Sequence, residues 1–103
     1  MINFAPCRKE LHELPETVRE DLADALAKLE AGVMLSMPLS RPMPSIGPKV
    51  HELRFRDRSG IYRVVYFFAV SGIVHILCAF KKTTQKMEQR CLELAKRRLK
   101  EML

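Results

Sequence analysis

Between Lys49 and Lys82 the chain carries three strand-like runs divided by two tight-turn sequences, a pattern that leaves little choice of fold. The runs extend from Lys49 to Arg56, from Ile61 to Phe67 and from Val74 to Phe80. Asp57-Arg58-Ser59-Gly60 and Ser71-Gly72 supply the turn chemistry between them, so the spacing predicts an antiparallel meander. In the middle run Tyr62, Val64, Tyr66 and Phe68 alternate with Ile61, Arg63, Val65 and Phe67. Both sets are almost wholly apolar, which marks this as the central strand, covered on both faces. Arg63 is the exception, because a charge in the middle of an apolar strand needs a partner or a ligand. The third run is apolar until Phe80 and then ends in Lys81-Lys82.

Upstream, Leu11, Leu14, Val18, Leu22, Leu26 and Leu29 form one apolar face at helical spacing. Pro15 suits a helix start, with Glu16 near the positive end of the helix dipole, and Gly32 suits a stop. A short helical turn over about residues 8–13 and a main helix over 15–31 are therefore predicted. Residues 33–48 hold Pro38, Pro42, Pro44 and Pro48, so regular structure is not expected there. Met34, Met37, Leu39, Met43 and Ile46 suggest a connector packed against the rest. Downstream, Met87, Cys91, Ala95, Leu99 and Met102 share one face of a helix over about 86–102. Arg98 lies near that face and is expected to lean over the sheet.

At 103 residues the chain is expected to be a single domain, 1–103, with one modest core. No apolar run reaches the roughly 18 residues of a membrane span, and the first residues do not read as a secretory signal. Three cysteines, Cys7, Cys78 and Cys91, lack metal-ligand spacing and fit reduced thiols of a cytoplasmic protein. The net charge of +6 is unevenly spread: residues 1–48 hold five Lys/Arg against seven Asp/Glu, residues 49–103 thirteen against five. Such asymmetry suits one face for an anion, nucleic acid being the obvious polyanion.

Four glycines stand singly at element ends, so no phosphate-cradling loop exists, and His12, His51 and His75 are too scattered for a metal site. No metal and no cofactor are expected. What remains is a cluster of cations on adjacent strands, Arg54, Arg63, Lys81 and Lys82, with His51, Glu52 and Tyr66 as titratable neighbours. Cleavage of RNA by its own 2′-hydroxyl needs a proton acceptor, cations at the phosphorane oxygens and an acid for the departing 5′-oxygen. Arg and Lys meet the second need, and a Lys crowded by other cations can meet another. His51 and Glu52 are candidates for proton transfer. Lys49, Arg56, Lys86 and Arg98 are candidates for RNA binding.

Glu52-Leu53-Arg54, Tyr62-Arg63-Val64-Val65-Tyr66, Phe80-Lys81-Lys82-Thr83 and Ala95-Lys96-Arg97-Arg98 resemble the RelE/ParE toxin superfamily, more narrowly its phage-derived, HigB-like branch. Leu14-Pro15-Glu16-Thr17-Val18-Arg19 and Leu29-Glu30-Ala31-Gly32 fit as well. The resemblance implies an α+β fold: a small antiparallel sheet of three to four strands, two N-terminal helical segments packed on it, and a C-terminal helix. It implies a metal-independent endoribonuclease that cleaves messenger RNA at the ribosome, with Arg54, Arg63, Lys81 and Lys82 as its catalytic residues. A helix-turn-helix antitoxin is the implied partner, with an acidic segment expected to cover the cations, and no membrane is involved. Only Ile2-Asn3-Phe4 precedes the helical region, so the first strand is expected to be short. Leu92 stands where some relatives carry an aromatic, which leaves the last helix without a phenol. Two other readings fit the same residues: a ParE-like toxin that binds DNA gyrase, and an inactive phage-derived nucleic-acid binder.

Overall fold

The structure is a computed structural model that describes all 103 residues except the side chain of Met87. Five strands form one sheet: β1 (Ile2–Asn3), β2 (Ser40–Pro42), β3 (Val50–Asp57), β4 (Gly60–Phe68) and β5 (Val74–Lys81). Their spatial order is β1-β5-β4-β3-β2, with β4 central as its double apolar face requires. The meander β3-β4-β5 is antiparallel throughout, while the two-residue β1 pairs with β5 in parallel. The class is the expected α+β, but the strand count is five. The extra strand is β2, inside the proline-rich segment expected to lack regular structure. It pairs Ser40–Pro42 with Leu53–His51, and its proline sits on an edge strand, where a missing donor is tolerated.

The helices are α1 (Arg8–His12), α2 (Glu16–Glu30) and α3 (Gln85–Met102), with a short 3-10 turn at Ala5–Cys7 ahead of α1. Pro15 is the N-cap of α2. Its C-terminus closes as a Schellman motif: Gly32 takes φ +84°, its N–H donates to the Leu29 carbonyl, and the Val33 N–H donates to that of Lys28.

Each face of the sheet has its own core. On one, Val18, Leu22, Leu26 and Leu29 of α2 pack with Cys7 and Leu14 against Leu53, Phe55, Tyr62, Val64, Tyr66 and Ile76. On the other, Ala95 and Leu99 of α3 pack against Met43, Val50, Val65, Leu77, Cys78 and Phe80. Fully burying each large apolar side chain stabilises the fold by about 1.5–3 kcal/mol. The expected place of Met87 on the inner side of α3 lies outside the described residues. The connector between α2 and β3 packs only in part: Met43 is buried and Leu39 and Ile46 half-buried, but Met34 and Met37 stand in solvent.

A bulge in β5 sets how α3 docks. The pairing with β4 passes over Leu77, and the carbonyl of that residue accepts from Arg98 Nη1 of α3 at 2.8 Å. The same nitrogen donates to Glu10 Oε1 of α1 at 2.7 Å. Arg98 thus ties both helical layers to one point of the sheet.

Candidate nucleic-acid interface

Strand alternation decides which of the candidate residues meet. On β3, Glu52, Arg54 and Arg56 point to the α3 side, because they alternate with buried Leu53 and Phe55 of the α2-side core. On β4, Arg63 and Ile61 share that side, with Arg54 opposite Arg63 and Arg56 opposite Ile61. Across β4, Arg63 pairs with Phe80, and the Lys82 N–H donates to the Ile61 carbonyl. Two rows result: Arg54, Arg63 and Phe80 in one, Arg56, Ile61 and Lys82 in the next. Arg56 and Lys82 are two strand spacings apart, about 10 Å between backbones.

Other candidates lie elsewhere. Lys81 pairs with Tyr62 and falls on the α2 side, where its Cε passes 3.0 Å from the position a Cβ would take on Gly60. The adjacent lysines therefore point to opposite faces. His51 also lies on the α2 side: it stacks on Tyr66 at 5.4 Å, and its Nδ1 is buried without a hydrogen-bond partner. Tyr66 bonds Ser40 through the two hydroxyls at 2.9 Å, and burial raises its phenol pKa. His51 and Tyr66 are thus not neighbours of the arginine rows, contrary to the grouping drawn from sequence. Lys49, with φ +61°, lines an apolar pocket of about 250 Å³ together with them. Arg98 is committed to Glu10 and Leu77. Lys86 is exposed in the first turn of α3.

Arg63 has its partner, in fact two. Its side chain is 6% exposed, and Nη1 donates to Glu88 Oε1 of α3. Its Nε and Nη1 lie 3.5 Å from Glu52 Oε1 and Oε2, on a side chain fully out of solvent. Arg41 of β2 approaches Glu52 at 3.9 Å from the open side. Two carboxylates therefore neutralise Arg63, and Glu52 is sealed beneath it. By contrast Arg54, Arg56, Lys82 and Lys86 form no ion pair among the described residues. Arg54 and Arg56 line an open groove of about 440 Å³ with Pro38, Leu39 and Ile61, at the end of β3 that β2 leaves uncovered.

Glu88 and Arg41 were not among the residues singled out from sequence. Glu88 carried a signal: it lies three residues before Cys91 and seven before Ala95, so it is an acid within the apolar stripe of α3. An acid in one apolar stripe and an arginine in another are natural partners. No group of His, Cys, Asp or Glu among the described residues has the arrangement to hold a metal ion.

A small sheet flanked by helices on both faces is a fold also found in a bacterial toxin-antitoxin complex. The crystal structure of the intact E. coli RelBE toxin-antitoxin complex contains a chain that superimposes with a TM-score of 0.57 at 23% identity, covering 82% of this chain and 98% of that one. A mutant of E. coli toxin RelE in the free state gives 0.47 at 21% identity over 89% and 90%. Residues 9–100 match the family described as "Phage derived protein Gp49-like (DUF891)", and the chain belongs to that family. No curated protein matches the sequence. No helix among the described residues is long and apolar enough to cross a membrane.

Proposed function

We propose that this protein is the toxin of a toxin-antitoxin pair and acts as an endoribonuclease on messenger RNA at the ribosome. The observation that carries this reading is the set of cations without ion pairs, Arg54, Arg56 and Lys82, at the strand ends of a RelE-like sheet. Arg54 and Lys82 hold the scissile phosphate and take up the charge that develops on its oxygens. Arg56 and Lys86 bind the flanking backbone, with Lys81 and Lys49 reaching RNA only from the other side of the sheet. Lys82 is the candidate proton shuttle among the open cations at the strand ends, since Glu52 is sealed and His51 lies on the opposite face: as the neutral amine it takes the 2′-hydroxyl proton, and the resulting ammonium returns that proton to the departing 5′-oxygen. Arg63 acts chiefly as the tie between Glu52 and Glu88, and joins the phosphate only if Glu88 gives way. A helix-turn-helix antitoxin encoded beside the toxin is the natural silencing partner, as RelB is for RelE in the complex of similar fold.

The test is induction of the wild type, Arg54→Ala and Lys82→Ala in a bacterium, with 5′-hydroxyl ends mapped on messenger RNA. Each substitution is expected to lower cleavage about 100-fold to 1,000-fold while circular dichroism stays native. Undiminished cleavage by both variants would remove these residues from the chemistry, and an absence of new 5′-hydroxyl ends from the wild type would remove the nuclease. The neutralisation of Arg63 favours one second reading, a gyrase-binding toxin that needs no scissile-phosphate site. Inhibition of supercoiling by purified protein, without RNA cleavage, would select it.

A further inference from the structure

Where the C-terminus of α2, the connector behind it and the start of β3 meet, the structure holds a pocket of about 250 Å³. Leu29 and Tyr66 are buried at its base, Leu35, His51 and Phe68 line its sides half-buried, and Val33 and Met34 stand exposed at its lip. At about 30 Å³ per water in the liquid, that space equals roughly eight waters, or one ring with a short arm. It lies just below the range of roughly 300–1,000 Å³ that suits drug-sized ligands. Three rings already line it: His51 stacks on Tyr66, and Phe68 follows two residues along β4. Two polar groups interrupt the apolar lining. His51 Nδ1 is cut off from water and has no hydrogen-bond partner. Lys49 is exposed and forms no ion pair among the described residues. Its backbone is held in the left-handed region at φ +61°, with its carbonyl accepting from the Phe68 N–H at 3.0 Å. Glycine would take that conformation with less strain, so the fold alone does not account for a lysine there.

We propose that this pocket binds a small aromatic carboxylate. The ring of the ligand lies among Leu35, Tyr66 and Phe68 in the offset or edge-on contacts that aromatic groups favour, with the Met34 thioether folding over its edge. Its carboxylate meets the Lys49 ammonium at the mouth in a charge-assisted hydrogen bond, and the His51 imidazole supplies a second donor. A cationic ligand of the same shape is repelled by Lys49, and an aliphatic acid leaves the rings of the wall without a planar partner. The proposal stands apart from the nuclease reading, because the pocket opens on the α2 side of the sheet, away from Arg54, Arg56 and Lys82.

The probe is phenylpropionate, titrated into isotope-labelled protein, with phenylpropylamine and octanoate as controls. Phenylpropionate is expected to shift the amides of residues 29–35, 49–51 and 66–68 and the His51 ring signals, saturating with a dissociation constant of about 1 mM or tighter. Lys49→Gly, which relieves the backbone, is expected to raise the urea midpoint while weakening phenylpropionate at least about tenfold, the worth of one charge-assisted hydrogen bond. His51→Phe keeps a ring in the wall and is expected to weaken it about twofold to tenfold. Val33→Trp, at the exposed lip, is expected to fill the space and abolish binding with the fold intact. No saturable shift in these amides, equal binding of the amine, tighter binding of octanoate, or full affinity in any of the three variants would overturn the proposal. So would displacement of phenylpropionate by single-stranded RNA with shifts in the same amides, which would make the pocket part of an RNA site.

Discussion

Replacing Arg63 separates its structural role from any catalytic one, and the size of the effect follows from its surroundings. Glu52 is fully buried, and apart from Arg63 at 3.5 Å its nearest cation is Arg41 at 3.9 Å, 42% exposed. Arg63→Met therefore leaves a buried carboxylate with one distant, solvated partner. Breaking a buried pair by removing one member costs about 3–5 kcal/mol, whereas replacing both with apolar groups of similar volume is often neutral or stabilising. A domain of this size has about 5–15 kcal/mol in total, so the single substitution takes a large share of it. With an m-value near 1.5 kcal/mol/M, the urea midpoint is expected to drop by roughly 2–3 M. Arg63→Met/Glu52→Leu is expected to recover most of that loss, since Glu88 is already 20% exposed and can turn to solvent. Urea unfolding of wild type, both singles and the double forms a cycle with a coupling of at least about 2 kcal/mol. A single variant as stable as the double would refute the argument and release Arg63 for a role in binding RNA. The same cycle governs how toxicity data are read: silence of Arg63→Ala in a cell reports unfolding as readily as lost chemistry.

Three further outcomes are expected. Burial, reinforced by Glu10, pushes the Cys7 thiol from 9.0 up to about 12, and burial raises Cys78 further still; native protein should therefore react with a thiol reagent first at the half-buried Cys91. Because the folded values of Cys7 and Cys78 lie above the unfolded value of 9.0, the stability linked to them is complete below pH 9 and lost as pH rises through 12, a fall that Cys7→Ala should lessen in urea midpoints taken across that window. Arg98→Ala removes the bonds to Glu10 and to the Leu77 carbonyl and should cost about 1.5–3 kcal/mol, with faster amide exchange along α3 as the check. Gly60→Ala should lose more than about 1 kcal/mol in urea unfolding, because φ +146° disfavours a Cβ and that atom would meet Lys81 Cε at 3.0 Å.

The meander, the central place of β4 and the three helices were legible because each rests on local chemistry: turn residues, alternation and a 3.6-residue stripe. The short β2 was not, because its three residues owe their strand to pairing with His51–Leu53 rather than to their own pattern, and Pro42 argues locally against it. The site was half legible. Placing cations on neighbouring strands brought Arg54 opposite Arg63, but treating Lys81 and Lys82 as one unit overlooked that Lys81, the last residue of β5, pairs with Tyr62 on the α2 side. His51 and Tyr66 were misplaced for the same reason: each is an odd step from the arginine it was grouped with. The partner of Arg63 was out of reach of any reading confined to the sheet, because Glu88 arrives from a helix 25 residues further on.

That helix also determines which cations are free. In the row nearer the middle of the sheet, α3 brings Glu88 onto Arg63, and the charge there is spent on holding helix to strand. In the row nearer the strand ends Arg56 and Lys82 form no ion pair among the described residues, and Arg54 and Arg56 open into the groove that β2 fails to cover, with Asp21 and Asp24 of α2 lining a neighbouring groove beside them. The residue with the strongest sequence signal is thus the one least available to a phosphate, and weaker signals at the margin carry the open charge. Any movement of the first turn of α3 would add Arg63 to that margin while exposing the uncompensated Glu52 beneath it. Opposed charges would then appear together, so the gain in phosphate affinity from freeing Arg63 is bounded by the carboxylate that comes with it.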